Sequence, residues 1–132
     1  MTFDITSRRA RTLLWLLVVI WAGIIFALSA TPDLRVAPTA DLDFVVRKAG
    51  HMFAFGVLAV LLWRALASSA VRQALAWSWF LTVVYAASDE FHQLFTAGRH
   101  GSPVDVGIDS VGALIALLSL VAWFRLRARR SG

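Results

Sequence analysis

Four long apolar stretches, each close to the length that crosses a bilayer, constrain this chain more than any other feature. A membrane-spanning helix needs about 20 mostly apolar residues, at 1.5 Å rise across roughly 30 Å of hydrocarbon. Segments of about 12–28, 49–67, 74–95 and 104–124 meet that need. With 132 residues, 59% of them hydrophobic and 16% charged, a soluble globule has no core large enough to hide its apolar surface. The surplus faces lipid. Lipid offers no partner to open backbone groups, and the stretches lack the period-two alternation of barrel strands, so the spans are helices. The expectation is an all-α polytopic membrane protein, a single domain over residues 1–132, built as an antiparallel bundle of four transmembrane helices.

Charge placement orients it. Arg8, Arg9, Arg11, Arg64, Arg72, Arg125, Arg127, Arg129 and Arg130 flank one side. Arg35, Arg47, Lys48 and Arg99 flank the other, offset by Asp33, Asp41 and Asp43. By the excess of Lys and Arg, both termini are expected to be cytoplasmic, in the inner (cytoplasmic) membrane. Trp15, Trp63, Trp77, Trp79 and Trp123 fall near the same ends, as an interfacial belt would. Arg8-Arg9 with Ala27, Ser29 and Ala30 also looks like an export signal, but the length of the run and three later spans favour a retained helix. The net charge of +5 carries no basic stripe with interleaved aromatics, so nucleic acid is not an expected partner. The absence of cysteine excludes disulfide scaffolds, thiolate metal sites and cysteine nucleophiles.

Apart from Arg64 at the inner end of the second, the ionisable residues inside the spans converge on the outer third. Lys48 and His51 open the second span; Asp89, Glu90, His92 and Gln93 close the third; Arg99 follows in the loop; Asp105 and Asp109 open the fourth. Helical spacing puts Tyr85, Asp89 and His92 on one face, Lys48, His51 and Phe55 on another, and Asp105, Asp109 and Gly112 on a third. Gly112 admits a close neighbour. Glu90 lies about 100° around from Asp89, so the two carboxylates reach different neighbours. A carboxylate in hydrocarbon costs on the order of 2.5–3.5 kcal/mol or more. Four of them persist only if paired, protonated, wetted or offset by a bound cation.

Each of these residues also has an ordinary reading. The whole cluster could be an ion-pair and hydrogen-bond network pinning three short helices in register. Lys48 alone reads as a snorkelling anchor, His51 and Tyr85 as packing, and the C-terminal arginines as contacts to anionic lipid. A metal reading draws on His51, Asp89, His92, Asp105 and Asp109, a mixed set suited to zinc, manganese or iron. No His-Glu-x-x-His, nucleophile elbow, Walker loop or dinucleotide fingerprint accompanies it. No metal ligand set or cofactor is therefore assigned, a divalent metal being the minority alternative.

The run Lys48-Ala-Gly-His51-Met-Phe-Ala-Phe55-Gly56 resembles the opening of the VanZ-like membrane proteins. Ala87-Ser-Asp89-Glu90-Phe-His92-Gln93-Leu-Phe95, followed by Gly98-Arg99 and Asp105-Val106, resembles that family's second block. The likeness covers about Lys48 to Gly112, with the first span similar in hydropathy only. Where the family commonly shows asparagine, this chain has Asp109, an additional carboxylate. The resemblance implies a small multispanning protein, with a link to glycopeptide antibiotic resistance and no established reaction.

The expected function is an outward-facing pocket for a lipid headgroup or lipid-linked cell-envelope intermediate. Lys48 and Arg99 would hold an anion, and Asp89, Glu90 and Asp105 would hold hydroxyls, amines or a proton. His51 and His92 would exchange protons, and Tyr85, Gln93 and Asp109 would complete the ligand site. The alternatives are an enzyme modifying such a lipid, with Asp89, Glu90 and His92 as its acid–base set, and a non-catalytic assembly or regulatory subunit. Homo-oligomer formation is left open.

Overall fold

The computed structural model describes residues 8–32 and 36–130; Asp33 and Arg35, counted above in one flank, lie outside them. The described residues form four helices and no strand: α1 Arg8–Ser29, α2 Ala40–Ser68, α3 Ala74–Gln93 and α4 Pro103–Arg130. Three of them, α1, α2 and α4, are long and apolar enough to cross a membrane. The 20-residue α3 is not among them, because Trp77, Ser78, Trp79, Thr82, Tyr85, Asp89 and Glu90 dilute its apolar run.

The second helix begins well before residue 49, at Ala40. Thr39 is its N-cap, the hydroxyl accepting from the Leu42 N–H at 3.4 Å, and Asp41 and Asp43 occupy the first turn, where the helix dipole favours anions. Asp43 is buried; one oxygen accepts from the N–H groups of Val36 at 2.6 Å and Ala37 at 3.2 Å, and the other pairs with Arg47 at 2.9 Å. Charges that read as loop therefore start a helix. The fourth helix likewise continues to Arg130, with Arg127, Arg129 and Arg130 in the last turn, where cations suit the dipole.

Contacts fix the relative arrangement. Along α1 and α2 the paired residues run in opposite senses: Trp15 donates to the Ser69 hydroxyl and Trp21 to the Ala54 carbonyl. Along α2 and α4 they rise together, from Lys48 against Asp105 to Trp63 against Phe124. α2 touches all three other helices, whereas α1 leans mainly on α2.

The distribution of polarity is that of a membrane protein. The interior holds Phe55, Leu58, Ala59, Ala86, Ala113 and Leu117, but also Ser78, Thr82, Asp89, Glu90, Gln93 and Asp109. The outer surface carries Leu16, Val19, Ile20, Phe53, Val111, Ile115 and Leu118, all exposed. In water that surface would be unfavourable; in lipid it is the expected one. Small residues allow close crossing at the centre. A Cβ on Gly112 would lie 2.6 Å from the Met52 carbonyl oxygen, and one on Gly56 would lie 3.2 Å from the Ala116 Cβ.

Candidate functional site

The end of the molecule where α1 finishes and α4 starts holds the cluster. Tyr85, Asp89 and His92, one face of α3, all turn to α1. The Tyr85 hydroxyl donates to the Ala22 carbonyl at 2.7 Å, the Ser29 hydroxyl donates to Asp89 Oδ2 at 2.6 Å, and the His92 ring packs at a tilt against Phe26 with centroids 4.3 Å apart. Glu90, one residue on, turns elsewhere: its Oε2 accepts the Ser102 N–H at 2.9 Å, in the loop before α4. Gln93, one turn later, bridges the two carboxylates, its amide donating to Asp89 Oδ2 and Glu90 Oε1 at 3.2 Å each. Gly101 makes the loop's approach feasible, since a Cβ there would collide with the Glu90 carbonyl oxygen.

The matching faces of α2 and α4 meet as their spacing requires. The Lys48 ammonium pairs with the Asp105 carboxylate. His51 Nδ1 lies 3.5 Å from Asp109 Oδ2, and neither Asp109 oxygen accepts a hydrogen bond although the residue is only 1% exposed. Asp89 Oδ1 is likewise buried without a partner. His51, Asp89 and Glu90 each offer one ligand atom within 4.8 Å of the others, a donor set able to hold a metal ion. Two unit negative charges at a 4.8 Å separation repel by about 3.5 kcal/mol at an effective dielectric of about 20. No lysine or arginine among the described residues forms an ion pair with Asp89, Glu90 or Asp109 to relieve it.

A cavity of about 460 Å³ opens at this end. Its wall is Arg47, Lys48, His51, Glu90, Gln93, Arg99, His100, Ser102 and Asp105, with Phe44 and Val104 as apolar members. Beside it a second hollow of about 240 Å³ between α1 and α2 shares Arg47, His51 and Arg99, and is otherwise lined largely by apolar residues such as Ile25, Leu28, Val46 and Phe55. Lys48, His51, Glu90, Gln93, Arg99 and Asp105 thus come together around one space. Asp89 and Asp109 stand behind that wall, and Tyr85 and His92 lie apart on the α1 side. Arg99 spends two of its donors on fold rather than ligand: Nε reaches the Thr31 carbonyl at 3.2 Å and Nη2 the Leu28 carbonyl at 3.1 Å, closing the end of α1.

Ser29 and Ser102 escaped the reading of the sequence. Ser29 looked like part of a small-residue signal, and Ser102 acts through its backbone. Only the tertiary contact distinguishes either from an ordinary serine.

The class is a polytopic helical membrane protein with a buried polar cluster at one end. The chain belongs to the VanZ/LLP1 family, whose model matches residues 12–125 and so takes in α1 as well as the two motif blocks. No curated protein and no solved structure matches it.

Proposed function

We propose that this is a multi-pass protein of the inner (cytoplasmic) membrane, its four helices crossing as an antiparallel bundle with both termini cytoplasmic. Its outward cavity then binds the anionic headgroup of a lipid or lipid-linked cell-envelope intermediate, a role compatible with a link to glycopeptide antibiotic resistance. The observation that carries this reading is the juxtaposition of a cavity walled by Arg47, Lys48, Arg99, Glu90 and Asp105 with an apolar hollow that shares three of its residues. A headgroup bearing phosphate suits the cationic wall, carboxylates take hydroxyls or amines, and the neighbouring hollow takes the start of an acyl chain. The charge asymmetry of the flanks supports the orientation.

Native mass spectrometry of the detergent-extracted chain, with lipid extraction, tests this. The expected result is a retained anionic lipid or lipid-linked species that is depleted by Lys48→Gln and Arg99→Gln. Because Arg99 also closes α1, Lys48→Gln is the cleaner variant. Retention of bulk lipid only, unchanged by Lys48→Gln, would overturn the reading. An enzymatic version, with Asp89 and Glu90 as acid–base groups, is favoured by the two adjacent carboxylates buried beside the cavity. It predicts turnover of the retained lipid that Glu90→Gln abolishes while binding persists.

A further inference from the structure

We propose that His51, Asp89 and Glu90 bind a borderline divalent cation, Mn²⁺ or Zn²⁺, at the wall of the polar cavity that His51 and Glu90 line and Asp89 backs. This deepens the headgroup reading and rests on it only for what the ion would meet there; the ion site itself follows from the protein side chains. Three donors from two helices lie within 4.8 Å of one another, one imidazole and two carboxylates. That mixture suits manganese or zinc better than magnesium or calcium, which favour all-oxygen sets.

The unoccupied hydrogen-bonding capacity of the cluster points the same way. Both oxygens of Glu90 and one of Asp89 are held by donors from Ser29, Gln93 and Ser102. Asp89 Oδ1 alone is left, in a residue 2% exposed, with no partner of any kind. Outer donors that fix the orientation of carboxylates while leaving a lone pair free are the usual surroundings of metal ligands. His51 shows the complementary pattern. Its Nδ1 faces the buried Asp109 at 3.5 Å, which leaves Nε2 for the ion and makes Asp109 a positioning residue in a carboxylate–histidine–metal arrangement.

Charge completes the argument. None of the fixed cations nearby pairs with Asp89, Glu90 or Asp109: Lys48 lies against Asp105, Arg47 against Asp43 and Arg99 against carbonyls of the α1 end. Three buried carboxylates, Asp89, Glu90 and Asp109, therefore surround one imidazole. A divalent ion offsets them, and with only three protein ligands it keeps open positions toward the cavity. A phosphate oxygen of a bound headgroup, or water, would fill those positions.

The test uses the full chain in detergent, stripped with chelator, gel-filtered, and dialysed against MnCl₂ or ZnCl₂ alone, without added lipid. One ion per chain is expected. Asp89→Asn and Glu90→Gln should each weaken binding by more than the roughly 10–100-fold typical of an outer partner. Asp109→Ala should fall within that 10–100-fold range and Asp109→Asn, which keeps an oxygen facing Nδ1, should recover most of the loss. Asp41→Asn, exposed in the first turn of α2, should change nothing. If the variants do not fold, pulsed electron paramagnetic resonance of the Mn²⁺-loaded wild type decides, since an imidazole ligand produces a ¹⁴N coupling. Substoichiometric binding by the wild type, no nitrogen coupling, or unchanged affinity in a folded Asp89→Asn protein would each overturn the proposal. Lipid retention without metal would leave the headgroup reading standing and remove only the ion.

Discussion

At the centre of the bundle α2 and α4 meet through Gly56, Ala59, Gly112, Ala113 and Ala116, backbone close to backbone. One to two turns nearer the polar end the same two helices meet through Lys48, His51, Asp105 and Asp109. The first region contains nothing to titrate or to coordinate. Its stability comes from van der Waals contact between small residues, the term that remains when lipid removes the hydrophobic drive between helices. The second keeps buried carboxylates that would repel one another wherever both members of a pair are ionised. The polar end also ties elements together, α1 to α3 through Ser29 and Asp89 and α2 to α4 through Lys48 and Asp105, but with groups that carry charge and hydrogen-bonding capacity.

The comparison breaks most visibly at Gly112. Gly112→Leu should destabilise the chain by about 3 kcal/mol or more through overpacking against Met52. Extracted yield and the thermal midpoint in detergent check this, and an unchanged midpoint would show that the crossing is loose. At the other end the sign should reverse. In metal-free protein, Asp89→Asn should raise stability by about 1–3 kcal/mol, because it removes one of the mutually repelling charges yet keeps an acceptor for Ser29 and Gln93. A lower midpoint for this variant would make the cluster a structural network instead.

Smaller effects sharpen the boundary between the two regions. Trp21 joins α1 to the Ala54 carbonyl at 2.9 Å, so Trp21→Phe should cost about 0.5–1.5 kcal/mol, read as the same midpoint, without altering metal or lipid retention. Smallest is the turn between α2 and α3, where Ala70 has φ of 57°. Ala70→Gly relieves the left-handed strain and should stabilise by less than about 1 kcal/mol. A loss there would mean that the turn is held by contacts stronger than its backbone preference.

Much of this was legible from spacing. The α2 and α4 faces assigned by helical periodicity do meet, Lys48 and His51 on Asp105 and Asp109, whereas the α3 face of Tyr85, Asp89 and His92 turns to α1, and Glu90 reaches a different neighbour from Asp89. Gly112 as a point of close approach was readable because it follows Asp105 and Asp109 on the same helix face and carries no side chain to hold a neighbour off. The helix start at Ala40 was hidden, since Asp41 and Asp43 serve equally as loop residues or first-turn anions, and only the Thr39 cap and the fold-back onto Asp43 decide. Which histidine joins the carboxylates was hidden as well. His92 shares a face with Asp89, yet that face points at Phe26, and the imidazole within reach is His51 from another helix.

The sequence by itself determined that the chain is helical, that its apolar surplus faces lipid, and that the chemistry gathers at one end. Those properties depend on composition and on the 3.6-residue period, which are local. Tertiary structure alone decided that Arg99 closes α1, that Ser29 and Ser102 hold the carboxylates, and that Asp89 Oδ1 is buried without a hydrogen-bond partner. These depend on how helices distant in sequence are rotated and stacked, and a turn of a few tens of degrees in any of them would select different neighbours.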